Sequence, residues 1–281
     1  MTLPDLVLRS RANQRWRYSG LDSPEHARDL AWFYSYPWPV EYCFNSRGFR
    51  DSEWPQDLVR SIWCVGDSFT VGLGQTLSHI WPQVLQARTG QRTINVSMDG
   101  ASNDWIARRI KDIVNAATPK VLIVQWSFVH RRERCPAQAQ QQQWQDFYRS
   151  VRDPSWPDCP SVDQIHTLPH SIQHEIQTLH STSWQWVSDE DLRLEYERTT
   201  DRQDLENLAS NIQKVNDLNA DTKIIHSFIP GFAPATVDVS EILSLPALSV
   251  GQVQQQDRAR DGIHYDLITA ESLVHSLLQL L

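Results

Sequence analysis

A serine near one end of the chain and an aspartate–histidine pair near the other carry the most reactive side-chain chemistry in this sequence. The apolar run Ser61-Ile62-Trp63-Cys64-Val65 ends abruptly in Gly66-Asp67-Ser68, and Asp261-Gly262-Ile263-His264 comes near the close of the chain. A serine hydroxyl is a poor nucleophile until a base takes its proton. An imidazole changes charge near neutral pH and is the usual base. A carboxylate three residues before it can orient the ring and stabilise its charged form if both sit on one turn. The chemistry this predicts is attack on an acyl carbonyl. Taken singly, Ser68 reads as a capping hydroxyl and Asp261–His264 as a surface turn; taken together they favour catalysis.

The elements that must position these residues alternate. A strand over Ile62–Val65 is followed by a helix from about Ile80 to Arg88, stopped by Gly90 in the place of a C-cap. A second strand over Thr93–Val96 leads into a helix from about Asn103 to Ala117, with Ile106, Ile110, Ile113 and Val114 on one face. Pro119 breaks that helix. A third strand, Val121–Val124, continues into Gln125-Trp126-Ser127; a fourth spans Lys223–Phe228, a shorter fifth lies near Leu248–Val250, and a last helix runs from about Leu267 to Leu281. Strand–helix alternation predicts parallel pairing with crossover helices. In such sheets ligands bind in the crevice at the carboxyl ends of the strands, which is where Ser68 falls.

Two stretches depart from this rhythm. Residues 1–56 read as an N-terminal extension packing on the main domain, with a helix start at Ser23-Pro24-Glu25-His26, a strap over Ala31–Pro39 whose aromatics pack onto that domain (a sugar-stacking surface being the sharper alternative) and a turn at Asn45–Asp51 pivoting on Gly48. Residues 132–220 read as a helical insertion or cap, with helices near Ser171–Trp186 and Asp189–Asn219. His166, His170, His174 and His180 lie there; the spacing of four from His166 to His174 is metal-compatible on one helix face, but Pro169 interrupts any such helix, and they read as surface residues. No internal repeat is evident.

Gly-x-Ser-x-Gly, the nucleophile elbow of α/β-hydrolases, is not met, because Thr70 stands two residues after Ser68. The sequence resembles the SGNH (GDSL-type) hydrolase family instead. Gly66-Asp67-Ser68-Phe69-Thr70 is similar to its first block, Asn95-Val96-Ser97-Met98-Asp99-Gly100 to its second, and Asp261-Gly262-Ile263-His264 to its last; the lead-in Asn45–Asp51 is also similar to many bacterial members. The resemblance covers most of 45–130 and 257–281. It implies a three-layer α/β/α, flavodoxin-like fold with a short parallel sheet over 57–281, and a Ser68–His264–Asp261 triad. It also implies an oxyanion hole built from the Ser68 and Gly100 backbone N–H groups, and no cofactor. The family's third block supplies an asparagine after the third strand, and this chain has none there; Ser127, His130 and Asn103 are the substitutes within reach in sequence. The activity implied is hydrolysis of an acyl ester, such as an acetyl ester, of an alcohol or carbohydrate. Two alternatives stay open: acyl transfer by the same triad, and a non-catalytic binding module of a larger assembly.

Composition narrows the rest. The 281 residues carry 26 basic and 34 acidic side chains, a formal net charge of -8, which speaks against a nucleic-acid footprint. Four cysteines without Cys-x-x-Cys spacing argue against zinc and read as free buried thiols. No apolar stretch approaches the ~18 residues of a membrane span. The expectation is a soluble, cytoplasmic protein acting on a small-molecule or carbohydrate ester, with no metal and no nucleic-acid or membrane partner; oligomeric state is not legible. Arg50 and Arg131 are read as salt-bridge partners, with an acidic substrate as the sharper alternative.

Overall fold

In the computed structural model, which describes residues 6–8, 11–19, 22–27, 30–132, 199–218, 221–235, 238–243, 248–252 and 254–281, the chain opens with a short antiparallel ribbon. Strand β1 (Arg15–Trp16) pairs with β2 (Tyr42–Cys43), and helix α1 (Leu30–Ser35) lies between them in sequence. The main sheet follows. Strand β3 (Ile62–Gly66) leads into the one-turn helix α2 (Ser68–Val71). Helix α3 (Trp81–Thr89), strand β4 (Thr93–Ser97), helix α4 (Asn103–Ala117) and strand β5 (Val121–Trp126) come next. Helix α5 (Asp201–Asn216), strand β6 (Lys223–Phe228), the short α6 (Ser240–Leu243), strand β7 (Leu248–Gln252) and helix α7 (Leu267–Leu278) complete the fold.

The five strands pair in the order β4-β3-β5-β6-β7, all parallel. Counted by appearance within the sheet this is 2-1-3-4-5, the doubly wound flavodoxin-like order. Parallel strands are covered on both faces and read as unbroken apolar runs, and Ile62 to Val65 and Leu122 to Val124 are all within 1% of full burial. Helix α3 packs on α7, and Asn207 and Asn211 of α5 donate to Asp104 Oδ1 of α4. These helix pairs make the outer layers of a three-layer α/β/α fold. The direction of the chain reverses at β3: it first steps outward to β4, then returns past β3 to β5. The crevice at such a switch point is the favoured ligand site, and here it lies between the carboxyl ends of β3 and β5, at Ser68 and Ser127.

Helix boundaries follow from local chemistry. Helix α4 begins where the Ser102 side chain accepts from Trp105 N, and α3 stops at Gly90 in the left-handed region. Helix α5 starts at Asp201, later than the expected Asp189: Thr200 and Gln203 form a reciprocal capping box there, and Thr199 and Thr200 are non-helical. This helix joins β5 to β6, so the last part of the stretch expected as an insertion serves as a crossover. The expected helix near Ser171–Trp186 and the histidines at 166, 170, 174 and 180 lie outside the described residues.

The N-terminal extension differs from expectation at Ser23–His26, which forms a hydrogen-bonded turn (Ala27 N to Ser23 O, 2.8 Å) and not a helix start. The aromatic strap is a helix, α1, followed by a bend at Pro37 and Trp38. It buries Phe33 and Tyr36 but leaves Tyr34 70% and Trp38 43% exposed. Gly48 is the pivot of the Asn45–Asp51 turn, at φ +81°, where a Cβ would fall 1.9 Å from the Leu8 carbonyl oxygen. Only glycine fits.

Candidate active site

Ser68 is placed by the strand that precedes it and the helix it begins. Asp67 caps α2: its Oδ1 accepts from Phe69 N at 3.0 Å. This turns the chain sharply at the end of β3 and leaves Ser68 as the first residue of α2. Gly66 makes the turn possible, because a Cβ there would lie 2.1 Å from Thr70 Oγ1 and 3.1 Å from the Gln125 carbonyl oxygen. Thr70, the residue that departs from the α/β-hydrolase elbow, donates to Gln125 Oε1 at 2.9 Å and so ties α2 to β5. Gln125 in turn donates to the Tyr265 hydroxyl, 3.1 Å away, joining β5 to the residue after His264.

The histidine arrives from the other end of the chain. His264 Nε2 lies 2.8 Å from Ser68 Oγ, and His264 Nδ1 lies 2.5 Å from Asp261 Oδ2. Asp261 Oδ1 also accepts from the backbone N–H of Ile263 (2.9 Å) and His264 (3.0 Å), so one carboxylate fixes both the turn and the ring. Phe69 packs its ring 4.5 Å from the imidazole. Burial by itself would push the imidazole down, but the Asp261 carboxylate, 2.5 Å away, outweighs it and raises His264 above its ordinary value of 6.5. Burial would likewise raise Asp261, and the charged ring and three hydrogen bonds overturn it, so the carboxyl is lowered. With Asp261 ionised and bonded to Nδ1, Nε2 is the nitrogen left facing the serine.

On the oxyanion side, Ser68 N is the first amide of its helix, one of those that no intrahelical carbonyl satisfies. Gly100, in a turn at φ +75°, follows β4. Neither amide is spent on an internal acceptor among the described residues. The substitutes weighed for the absent asparagine are placed differently. Asn103 is fully buried and spends its amide on the carbonyls of Ser127 (3.4 Å) and Phe128 (3.0 Å), while its Oδ1 accepts from Ser127 N. It therefore fixes the loop after β5 and has no amide hydrogen left for a substrate. Ser127 likewise donates its hydroxyl proton to Asp67 Oδ2 at 2.6 Å. His130 stacks on Phe128, 5.6 Å between rings, and burial lowers it to about 4, so it is neutral at pH 7. The group that does reach this corner is Arg131, whose Nη1 lies 3.1 Å from Asp67 Oδ2 and 3.2 Å from Ser127 Oγ. Arg131 is thus a salt-bridge partner, but to the residue beside Ser68.

Arg50 departs from both readings of it. It is 1% exposed and pairs with no carboxylate among the described residues; its guanidinium donates to the backbone carbonyls of Gly72 (2.5 Å), Gln75 (2.6 Å), Glu41 (3.1 Å) and Val71 (3.2 Å) and covers the Tyr42 ring. Burial lowers it to about 10, so it stays charged at neutral pH. A cation at the C-terminal end of α2 also suits the helix dipole. Arg50→Met leaves four carbonyls in a dry site, and is expected to lower the unfolding free energy by about 3 kcal/mol in urea denaturation. Arg50→Lys recovers only part, since an ammonium cannot span the fork.

The extension grips the loop that carries Asp261. Asp22 accepts from the Tyr42 hydroxyl (2.6 Å) and from Arg260 (2.5 Å), Tyr42 accepts from Gly74 N (2.7 Å), and Trp32 donates to the Ala259 carbonyl (3.0 Å). Sequence reasoning assigned no role to Asp22, Tyr42 or Arg260, whose partners lie up to 238 residues away. Among the described residues no group of three or more His, Cys, Asp or Glu side chains is placed to hold a metal, and no helix is long and apolar enough to cross a membrane.

No family model matches the chain, and no curated protein matches it. Solved structures similar to it include TesA, at 17% identity and a TM-score of 0.43, covering 78% of this chain and 96% of that one. A putative lipolytic protein of the G-D-S-L family from Desulfitobacterium hafniense is 12% identical, with a TM-score of 0.39 and coverage of 77% and 99%. A family two carbohydrate esterase from Clostridium thermocellum, solved with cellohexaose, is 11% identical, with a TM-score of 0.42 and coverage of 81% and 65%. At this identity and TM-score the likeness carries no functional argument, and the chemistry rests on the side chains of this chain.

Proposed function

We propose that this chain is a serine esterase of the SGNH type it resembles, cleaving an acyl ester, such as an acetyl ester, of an alcohol or carbohydrate. One observation carries the reading: the continuous Ser68 Oγ–His264 Nε2–Asp261 chain at 2.8 and 2.5 Å. His264 takes the Ser68 proton as Oγ bonds to the carbonyl carbon. The carbonyl oxygen becomes an oxyanion facing the Ser68 and Gly100 N–H groups. Collapse breaks the bond to the alcohol, which leaves with the proton from His264. Water then gives its proton to His264, attacks the acyl-serine, and the acid leaves as Ser68 regains its proton.

Arg131 acts here as a positioning residue. With Ser127 it fixes Asp67, the cap of the helix that starts at the nucleophile. Arg131→Met is expected to lower kcat by at least about tenfold, or 1.36 kcal/mol, with KM nearly unchanged; Arg131→Lys should restore part of the loss. A uniform rise in KM with unchanged kcat would instead make it a substrate contact. The function itself is tested with a fluorophosphonate probe. One label on the peptide carrying Ser68, absent in Ser68→Ala and strongly slowed in His264→Gln, is expected. A folded protein that stays unlabelled would favour the non-catalytic module.

A further inference from the structure

Strand β5 carries one amide where an apolar side chain is expected. The run Val121-Leu122-Ile123-Val124-Gln125-Trp126 lies inside a parallel sheet, and Gln125 is fully buried. Burying an amide is costly unless it is hydrogen-bonded, so its place at the carboxyl end of this strand needs a reason. Gln125 Oε1 accepts from Thr70 Oγ1 at 2.9 Å and from Trp81 Nε1 at 3.2 Å, while Nε2 donates to the Tyr265 hydroxyl at 3.1 Å. An indole N–H can only donate, which fixes the amide this way round. Thr70 stands two residues after Ser68, and Tyr265 stands one residue after His264. One side chain therefore holds both sides of the Ser68–His264 contact. Ser127, two residues further on, donates to Asp67 Oδ2 at 2.6 Å, so the end of β5 grips the chain before and after Ser68.

Tyr265 is held as closely as Thr70. Its carbonyl accepts from Gln75 Nε2 in the loop after α2. Its ring lies 5.3 Å from that of Phe69, which in turn lies 4.5 Å from the His264 imidazole. Aromatic pairs tolerate centroid separations of about 4.5–7 Å, so ring packing alone leaves slack. The hydroxyl removes it, bonding Gln125 and no other group among the described residues. The Asp261–His264 pair needs no such help. Asp261 bonds Ile263 N, His264 N and His264 Nδ1 within its own turn. What that turn cannot set is where its imidazole stands relative to Ser68, which comes from a helix far away in sequence.

We propose that Gln125 is a positioning residue: by holding Thr70 and Tyr265 on one amide it sets the 2.8 Å contact between Ser68 Oγ and His264 Nε2, without itself touching a substrate. A misplacement of about 1 Å between reacting groups can lower a rate by about 10²-fold, so a bond one residue removed from the base has leverage on the rate. The inference rests on the esterase reading, and it adds a part of the site that no local motif announces.

Two variants test it. Gln125→Leu removes both bonds at nearly constant volume. Tyr265→Phe removes a single oxygen, keeps the ring packing, and decides the question even if the first variant is unstable. Each folded variant is expected to lower kcat for p-nitrophenyl acetate at least about tenfold, with KM nearly unchanged. Labelling of Ser68 by a fluorophosphonate should slow to a similar degree. The double variant should lose no more than Gln125→Leu alone, because the Tyr265 hydroxyl acts through Gln125. The acidic limb of kcat/KM should stay at its wild-type pH: burial still lowers His264, and the carboxylates of Asp261, Asp67 and Asp99 still raise it. Wild-type kcat in either folded variant, a change confined to KM, additive losses, or a limb displaced to lower pH would each overturn the proposal. A wild-type protein never labelled at Ser68 would remove the esterase reading and this inference together. Equal labelling of the wild type and both variants would remove the inference alone.

Discussion

Replacing Ser68 by alanine is expected to lower p-nitrophenyl acetate turnover by at least about 10³-fold, since loss of the nucleophile in serine hydrolases leaves only binding and oxyanion stabilisation. The substitution is nearly neutral for the fold. Ser68 is 3% exposed and its hydroxyl makes one hydrogen bond among the described residues, to His264, so about 1 kcal/mol of stability is at stake. Denaturation midpoints of the two proteins should therefore nearly coincide while their rates separate. Turnover that survives the substitution would move the chemistry elsewhere.

The second large effect belongs to Asp261. Asp261→Asn should cost about 10⁴ in kcat, as loss of the orienting carboxylate does in other triads. The pH profile should move as well. His264 must be neutral to accept the Ser68 proton, so wild-type kcat/KM should rise with pH through a value above the ordinary 6.5. Without Asp261 the burial of the ring prevails, and the acidic limb should shift to lower pH on a much reduced plateau. Stability runs the other way. A raised folded pKa means that the contribution of His264 is fully present below about 6.5 and is lost as pH rises through the folded value. The lowered carboxyl means that the contribution of Asp261 is present above about 3.8 and is lost as pH falls through its folded value. The pair therefore stabilises most in mildly acidic solution, and activity emerges as that contribution fades.

The juxtaposition of Ser68, His264 and Asp261 was legible because each part announces itself locally. Gly66-Asp67-Ser68 ends an apolar strand, Asp261 and His264 share one turn, and the strand–helix alternation brings strand ends together. The extents of β3, β4, β5 and β6 and of α4 follow from apolar runs, Pro119 and caps in the same way. What was hidden is what acts across long separations. Nothing near Arg50 in sequence marks the four carbonyls it binds, because backbone acceptors have no residue type. The contacts from Trp32 to Ala259 and from Asp22 to Arg260 span 227 and 238 residues. Asn103 drew attention as a donor because its amide is the right chemistry, yet two carbonyls of the loop after β5 consume it. The corner left without an asparagine is occupied by an Asp67–Ser127–Arg131 cluster; Arg131 was expected to pair with an acid, but nothing in its run named Asp67 as that acid.

The most direct test of the account is the acyl-enzyme itself. Mixing the protein with excess p-nitrophenyl acetate and quenching in acid within the first turnovers should give a burst of p-nitrophenolate matching the enzyme concentration. Peptide mass spectrometry should then place one acetyl group on Ser68 and none in the Ser68→Ala protein. Steady turnover with an acetyl group on another residue, or a burst that persists in Ser68→Ala, would contradict it.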